Sequence, residues 1–215
     1  MTRRRRLELL EGSAVAACAV LAAPLVVRLA LAPPGLARLT LCLLAGYLAA
    51  DLASGLVHWF CDRFFDEHTQ LVGPILIRPF REHHRDPLEM TRHGFLELTG
   101  NSCLGLAPVL ALGGWCAGGA WVDALMLSFS GGVVLTNVLH KWAHATTAPA
   151  VVRWLQRLRL VLAPAAHALH HRAGYAGGYC VTSGWLNPVT DRLRLFDGLE
   201  LTVAALGVPR TTARD

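Results

Sequence analysis

The chain has 215 residues, 53% of them hydrophobic and only 16% charged, with a mean hydropathy of +0.41. That balance is too apolar for an ordinary soluble domain of this length and makes the bilayer the better solvent. The formal net charge of +5 does not point to nucleic acid, because the basic residues flank apolar stretches instead of forming an aromatic-interleaved patch. Anionic lipid headgroups are the expected counterpart.

Residues 1–12 form a basic leader marked by Arg3 to Arg6, and four stretches long enough or nearly long enough to span hydrocarbon follow, at about 13–32, 39–59, 102–118 and 121–139. Val15 to Cys18 resembles a lipoprotein cleavage site and the leader resembles a signal peptide. The apolar run continues to Leu31, however, so an uncleaved helix is expected. The third and fourth stretches meet at Gly118 and Gly119, which predicts a helical hairpin. If residues 1–12, 60–101 and 140–215 share one side of the membrane, that side carries 18 of the 20 Lys and Arg residues, and the positive-inside rule makes it cytoplasmic, with both termini. Arg28 and Arg38 lie near the opposite interface. The membrane domain is expected over 13–204, with a flexible tail over 205–215. Four of the six cysteines, Cys18, Cys42, Cys103 and Cys116, fall in the spans and no CxxC exists, so neither a disulfide framework nor a zinc ribbon is indicated.

Every histidine falls on the basic side. In the second span Asp51, Ser54, His58 and Asp62 are spaced by three, four and four, one polar stripe on an apolar helix. Such a stripe must face protein or water. His58 is placed to bind a metal, and Asp62, one turn on, to orient its ring. The segment 78–101 brings His83 and His84, adjacent and therefore diverging on a helix, and then His93; Glu97 and Asn101 are candidate outer groups. His140 and His144 stand one turn apart at the end of the fourth span, as do His167 and His171 further on, with His170 on the same broad face. Between these knots, residues 150–162 place Val151, Leu155, Leu158 and Leu162 on one helical face and Arg153 and Arg157 on another, the pattern of a helix lying in the membrane interface. His68 has no partner motif and reads as solvated.

Imidazole is the commonest protein ligand for transition metals, and this many imply more than one ion. A zinc hydrolase needs about three protein ligands and an open position, so eight or nine histidines exceed that need. So few carboxylates also separate the set from the Glu-rich di-iron sites of soluble bundles. The ligand set is the one expected of membrane desaturases and hydroxylases, which use two irons and dioxygen to attack an unactivated C–H bond.

Five ordered motifs carry a resemblance over roughly residues 46–200: DxxSGLxHWxxD at Asp51 to Asp62, REHHRDPxxxTRHxF at Arg81 to Phe95, NxxHKWxH at Asn137 to His144, HxxHH at His167 to His171, and YCVTSGWLN at Tyr179 to Asn187. Together they resemble the plasmanylethanolamine desaturases, CarF-like bacterial members included, and are similar to the plant plastid palmitate trans-desaturases. The resemblance implies an iron-dependent membrane oxidoreductase that desaturates the 1-O-alkyl chain of an ether phospholipid, giving the vinyl ether of a plasmalogen. It implies a metal site of His58, His83, His84, His93, His140, His144, His167, His170 and His171. Two departures are visible: Tyr175 stands where the family pattern has a further histidine, and TGNS at Thr99 to Ser102 lacks the acidic residue of that pattern.

The expected fold is therefore an all-α membrane protein of four transmembrane helices, with cytoplasmic helical segments forming a histidine-rich di-iron site. Two Fe ions and dioxygen are the expected cofactor and co-substrate. No redox cofactor motif is present, so electrons come from an external ferredoxin or cytochrome b5 type donor, which the basic surface at Arg153, Arg157 and Arg159 would steer. The expected location is a bacterial inner membrane. Rival readings are a fatty acyl lipid desaturase or hydroxylase with the same site and, from another class, a membrane metal or haem carrier. A carrier would need polar groups through the depth of the bundle, which the first and third spans lack.

Overall fold

The computed structural model describes residues 1–115, 118–172 and 175–210, so Cys116 and the last five residues of the expected tail lie outside the described residues. Among the described residues the chain is helical, without a strand; Phe64 and Arg210 form an isolated antiparallel bridge. The helices are α1 (Arg3–Leu31), α2 (Leu36–Arg63), α3 (Arg78–Arg85), α4 (Phe95–Trp115), α5 (Ala120–His144), α6 (Ala150–Arg157), α7 (Pro164–Arg172), α8 (Asn187–Arg192) and α9 (Leu195–Ala205). Four of them, α1, α2, α4 and α5, are long and apolar enough to cross a membrane. Their outward faces carry bare aliphatic and aromatic side chains such as Val20, Leu41, Leu112 and Trp115, a surface that hydrocarbon solvates at no cost.

All four long helices extend beyond the apolar runs that announced them, α2 by three residues at its start and four at its end. Thr2 caps α1 by accepting from the Arg5 backbone N–H, and Arg4 pairs with Glu8 one turn on, so the basic leader is already helical. Helix α4 starts at Phe95, with the Thr99 hydroxyl donating back to the Phe95 carbonyl at 2.8 Å. Helix α5 runs five residues past the expected end of its span, which puts His140 and His144 on helical backbone.

The chain divides into two compact units. The first comprises residues 1–51 and 93–138. Here α1 packs along α4, with Ala14, Cys18 and Leu25 buried against Cys103, Leu106 and Leu110. The Cys18 thiol donates to the Cys103 carbonyl at 3.1 Å, and Gly100 leaves room for Glu11. Arg28 reaches from α1 to α5 with two parallel bonds to Asp123, Nε–Oδ2 at 3.0 Å and Nη2–Oδ1 at 2.5 Å. The Asp123 side chain is only 1% exposed, so removing Arg28 would leave a buried carboxylate uncompensated, which is destabilising. Helices α2 and α5 touch through Gly46, where an added Cβ would lie 2.3 Å from the Leu125 carbonyl oxygen and 2.9 Å from the Phe129 nitrogen. The Ser128 hydroxyl donates across the same contact to the Leu43 carbonyl.

The second unit comprises residues 52–92 and 139–215. An aromatic core of Trp59, Phe64, Tyr179 and Phe196 lies under the end of α2, and Ala143, Leu162 and Val181 form a second cluster. The buried segment Tyr179–Ser183 is irregular, so its backbone polar groups need partners from elsewhere. Ser54 accepts from the Val181 N–H at 3.0 Å, Asn187 brackets Cys180 through both its N–H and its carbonyl, and the Thr182 carbonyl accepts from Leu162. Gly55 makes the approach of α2 feasible, since a Cβ there would meet the Cys180 sulfur at 2.7 Å. The expected interfacial helix is shorter than its apolar pattern. Helix α6 ends at Arg157, Arg159 takes a positive φ of 56°, and Leu162 leaves the helical face to enter the core.

Because the collision at Gly46 is with backbone, which cannot rotate away, Gly46→Val should lower the melting temperature of the detergent-purified protein by about 4–8 °C. Gly131→Val, on α5 where nothing lies within 4 Å of the added carbon, should change it little. Differential scanning fluorimetry compares the two.

Candidate metal centre

Eight of the nine expected histidines converge in the second unit, in two groups. In the first, α3 supplies His83, the last turn of α5 supplies His140 and His144, and α7 supplies His167 and His171; their ligating atoms all lie within 4.8 Å of one another. The i,i+4 spacing in α5 and in α7 stacks each pair on one helical face. Nε2 of His167 lies 2.7 Å from that of His140, 2.9 Å from that of His144 and 3.0 Å from that of His171. In the second group, His58 and Asp62 from α2 meet His84 from α3 and His170 from α7. The Nε2 atoms of His58 and His170 stand 3.4 and 3.2 Å from that of His84, and the Asp62 Oδ2 is 3.5–3.7 Å from all three.

Adjacent histidines therefore serve different groups. A step of one residue rotates a side chain by about 100° around a helix, so His83 faces the first group while His84 faces the second, and His171 and His170 divide in the same way.

The protonation state follows from the partners. His58 Nδ1 lies 3.2 Å from the Tyr179 carbonyl and His170 Nδ1 lies 2.6 Å from the Gly177 carbonyl. A carbonyl only accepts, so both Nδ1 atoms carry hydrogen and donate, which leaves the neutral ring's Nε2 lone pair aimed into the group. Burial pushes His83, His84 and His167 well below the ordinary imidazole range, and neighbouring imidazoles push the same way. His171 is lowered by burial. His170 is held at about 4 by burial despite the upward pull of the Gly177 carbonyl. At neutral pH these rings are uncharged.

Converging lone pairs repel unless a cation lies between them. Nitrogens bound to one ion at about 2.0–2.1 Å are separated by about 3.0 Å when at right angles and about 3.4 Å when tetrahedral; the spacings of 2.9–3.4 Å lie at or close to that range, and the 2.7 Å between His140 and His167 is shorter. Both Asp62 carboxylate oxygens and the His83 Nε2 are buried without a hydrogen-bond partner, as metal-facing atoms would be. The donor set, eight imidazoles and one carboxylate, suits divalent first-row metals, iron among them.

The remaining expected residues fall elsewhere. His93 is in neither group; it belongs to the first unit, with Nδ1 2.5 Å from Glu97 Oε1. Asp51 is buried, and Asn101 is exposed on α4; both also belong to the first unit. Asp62 does not stand behind His58, where the Tyr179 carbonyl takes the orienting position, but on the Nε2 side among the other donors. Its i,i+4 spacing from His58 signalled proximity without side. Sequence reasoning missed the two backbone carbonyls, since main-chain partners leave no residue-type signature; Tyr175, marked in the sequence only as a departure from the family pattern, stacks its ring on His84 at 4.0 Å and 8°.

A family model described as the lipid desaturase domain matches residues 47–212, nearly the whole of the second unit and much of the first. The chain belongs to this lipid desaturase family. The plasmanylethanolamine desaturase of Myxococcus xanthus is 43% identical over 73% of this chain and 57% of the relative. Plasmanylethanolamine desaturase 1 of Mus musculus is 34% identical over 80% of this chain and 67% of the relative, and the chloroplastic fatty acid desaturase 4 of Arabidopsis thaliana is 36% identical over 73% and 49%. The chain thus spans little more than half the length of the bacterial relative. No solved structure matches it.

If both groups hold an ion, purified protein should carry about two metal ions per chain, and Asp62→Ala or His84→Ala should reduce this to about one. His68→Ala should leave it unchanged. His93→Gln decides the ninth ligand: no loss is expected, since Glu97 already engages the ring. Inductively coupled plasma mass spectrometry of the membrane-extracted variants gives the count.

Proposed function

We propose that this chain is a membrane ether-lipid desaturase that converts the 1-O-alkyl chain of a plasmanyl phospholipid into a 1-alkenyl ether, using two irons, dioxygen and two electrons from outside. The observation that carries this reading is the pair of adjoining donor groups, five imidazoles in one and three imidazoles with Asp62 in the other, in a chain of the lipid desaturase family. The names of the Myxococcus and mouse relatives supply the substrate class. Two bound irons with dioxygen supply an oxidant strong enough to take hydrogen from an unactivated carbon. The balance is one alkyl ether, dioxygen, two electrons and two protons giving one vinyl ether and two water molecules.

The protein's own part is positioning. The Tyr179 and Gly177 carbonyls fix the tautomer and tilt of His58 and His170, and Tyr175 packs flat on His84. Burial keeps the rings free of protons, so the donors are ready at neutral pH. Electrons must be delivered by a separate protein of ferredoxin or cytochrome b5 type. The basic face, with Arg153, Arg157 and Arg159 around α6, suits an acidic donor. The distribution of Lys and Arg supports a bacterial inner membrane location with the metal groups and both termini on the cytoplasmic side.

The Arabidopsis relatives, named fatty acid desaturases, favour a second reading in which an ester-linked acyl chain is the substrate. Lipid mass spectrometry separates the two. In a host that makes alkyl ether lipids and contains a competent donor, expression should produce acid-labile vinyl ethers dependent on iron and dioxygen, and His171→Ala should lower the product by about 100-fold or more. Labelled dioxygen should appear in water and not in lipid. New double bonds confined to acyl chains would establish the second reading, and label retained in a hydroxylated lipid would establish a hydroxylase.

A further inference from the structure

The two donor groups differ in what borders them. In the second group His58 and His170 are enclosed, while Asp62 and His84 are partly buried, their side chains 4% and 10% exposed. In the first group His144 and His171 are half-buried, and with His167 they line an open cavity of about 250 Å³. It is also lined by the small or rigid side chains of Pro87, Ala143, Pro164 and Ala168, none of which offers a hydrogen bond. Arg172, exposed at the end of α7, completes the lining, and among the described residues its guanidinium forms no hydrogen bond or ion pair. The volume is below the roughly 300–1,000 Å³ of sites that enclose a whole drug-sized ligand, so this cavity admits a segment of a longer molecule.

Depth is set by α5. Its 25 residues rise about 37 Å, more than the roughly 30 Å of a bilayer's hydrocarbon core, and Ala143 and His144 are its last two residues. The cavity therefore lies at headgroup level, where the phosphate of a phospholipid and the first carbons of its chains are found. An uncommitted guanidinium is the side chain best matched to a phosphodiester, which it can grip with two parallel hydrogen bonds. An apolar channel ending on ring nitrogens is matched to the chain beside it.

Resting on the proposed function, we propose that this cavity is the substrate subsite. Arg172 holds the phosphodiester, and the carbons next to the glycerol oxygen pass between Pro87, Ala143, Pro164 and Ala168 to reach the first donor group. Recognition then depends on the phosphate more than on the amine of the headgroup. The chain enters from the five-imidazole side.

Photolabelling of the metal-loaded full chain in phosphate-free detergent tests this. The probe is a 1-O-alkyl phosphatidylethanolamine with a diazirine near the ether end of its alkyl chain; the comparison probe is the matching alkylglycerol without phosphate. Peptide mapping should place the phospholipid label on the segments around Ala143 and Pro164–Arg172. Labelling should fall about tenfold in Arg172→Glu and two- to threefold in Arg172→Lys at unchanged metal content, consistent with loss of a charged hydrogen bond. The alkylglycerol should label weakly and equally in all three proteins. In the unsubstituted chain, which needs no variant to fold, unlabelled phospholipid should compete at concentrations at least about tenfold lower than alkylglycerol. Label mapped elsewhere, equal competition by the two lipids, or full displacement by millimolar inorganic phosphate alone would overturn the assignment. Labelling as expected without any vinyl ether formed would leave the subsite standing and remove the desaturase reading.

Discussion

Uncharged imidazole nitrogens forced together in buried space are the constraint on which the second unit depends. Each ring is desolvated, each Nε2 lone pair points at others, and at 2.7–3.4 Å the arrangement is repulsive until a cation neutralises it. Much of the surrounding structure makes sense as restraint on this repulsion. Carbonyls of an irregular segment hold His58 and His170 from behind, and that segment is itself pinned by Ser54, Asn187 and Leu162. The YCVTSGWLN motif thus lacks a ligand yet is needed by two. Its residues are chosen for backbone geometry, as Gly184 with φ of 75° illustrates.

The same constraint explains why the ligands sit on short helices and helix ends. A helix offers rigid side-chain vectors at fixed rotation, and HxxxH on α5 and on α7 converts a sequence interval into two nitrogens that converge in one group. The consecutive pair His83–His84 does the reverse, since about 100° of rotation obliges the two to diverge. Two donor groups are therefore written into the spacing itself, and α3, α5 and α7 close both once α2 adds His58 and Asp62.

Much of this was legible in the chain. Apolar runs marked all four long helices, because lipid-facing positions must be apolar whatever they pack against, and histidine spacing marked eight converging donors. Legibility failed where a boundary or a contact depends on the third dimension. Helix α4 starts seven residues before its apolar run, since polar side chains such as Thr99 are satisfied by the preceding turn. Helix α6 stops before its amphipathic pattern does, because Leu162 has a better site beside Ala143 and Val181 than on a helical face. His93 carries the same residue type as the ligands and lies in a matching motif, yet its ring pairs with Glu97.

Asp62 makes the two groups chemically unequal, which bears on how a desaturase would divide labour between its metals. A carboxylate is the one anionic donor in the set, so an ion held beside it would have its charge partly neutralised, whereas an ion held among the five neutral imidazoles would not. The five-imidazole group is also the one that lines the open cavity, through His144, His167 and His171. Those residues would hold the ion nearer to a molecule in the cavity, and His58, Asp62, His84 and His170 would hold the other. The asymmetry follows from one residue, placed one helical turn after a histidine at the end of a membrane span.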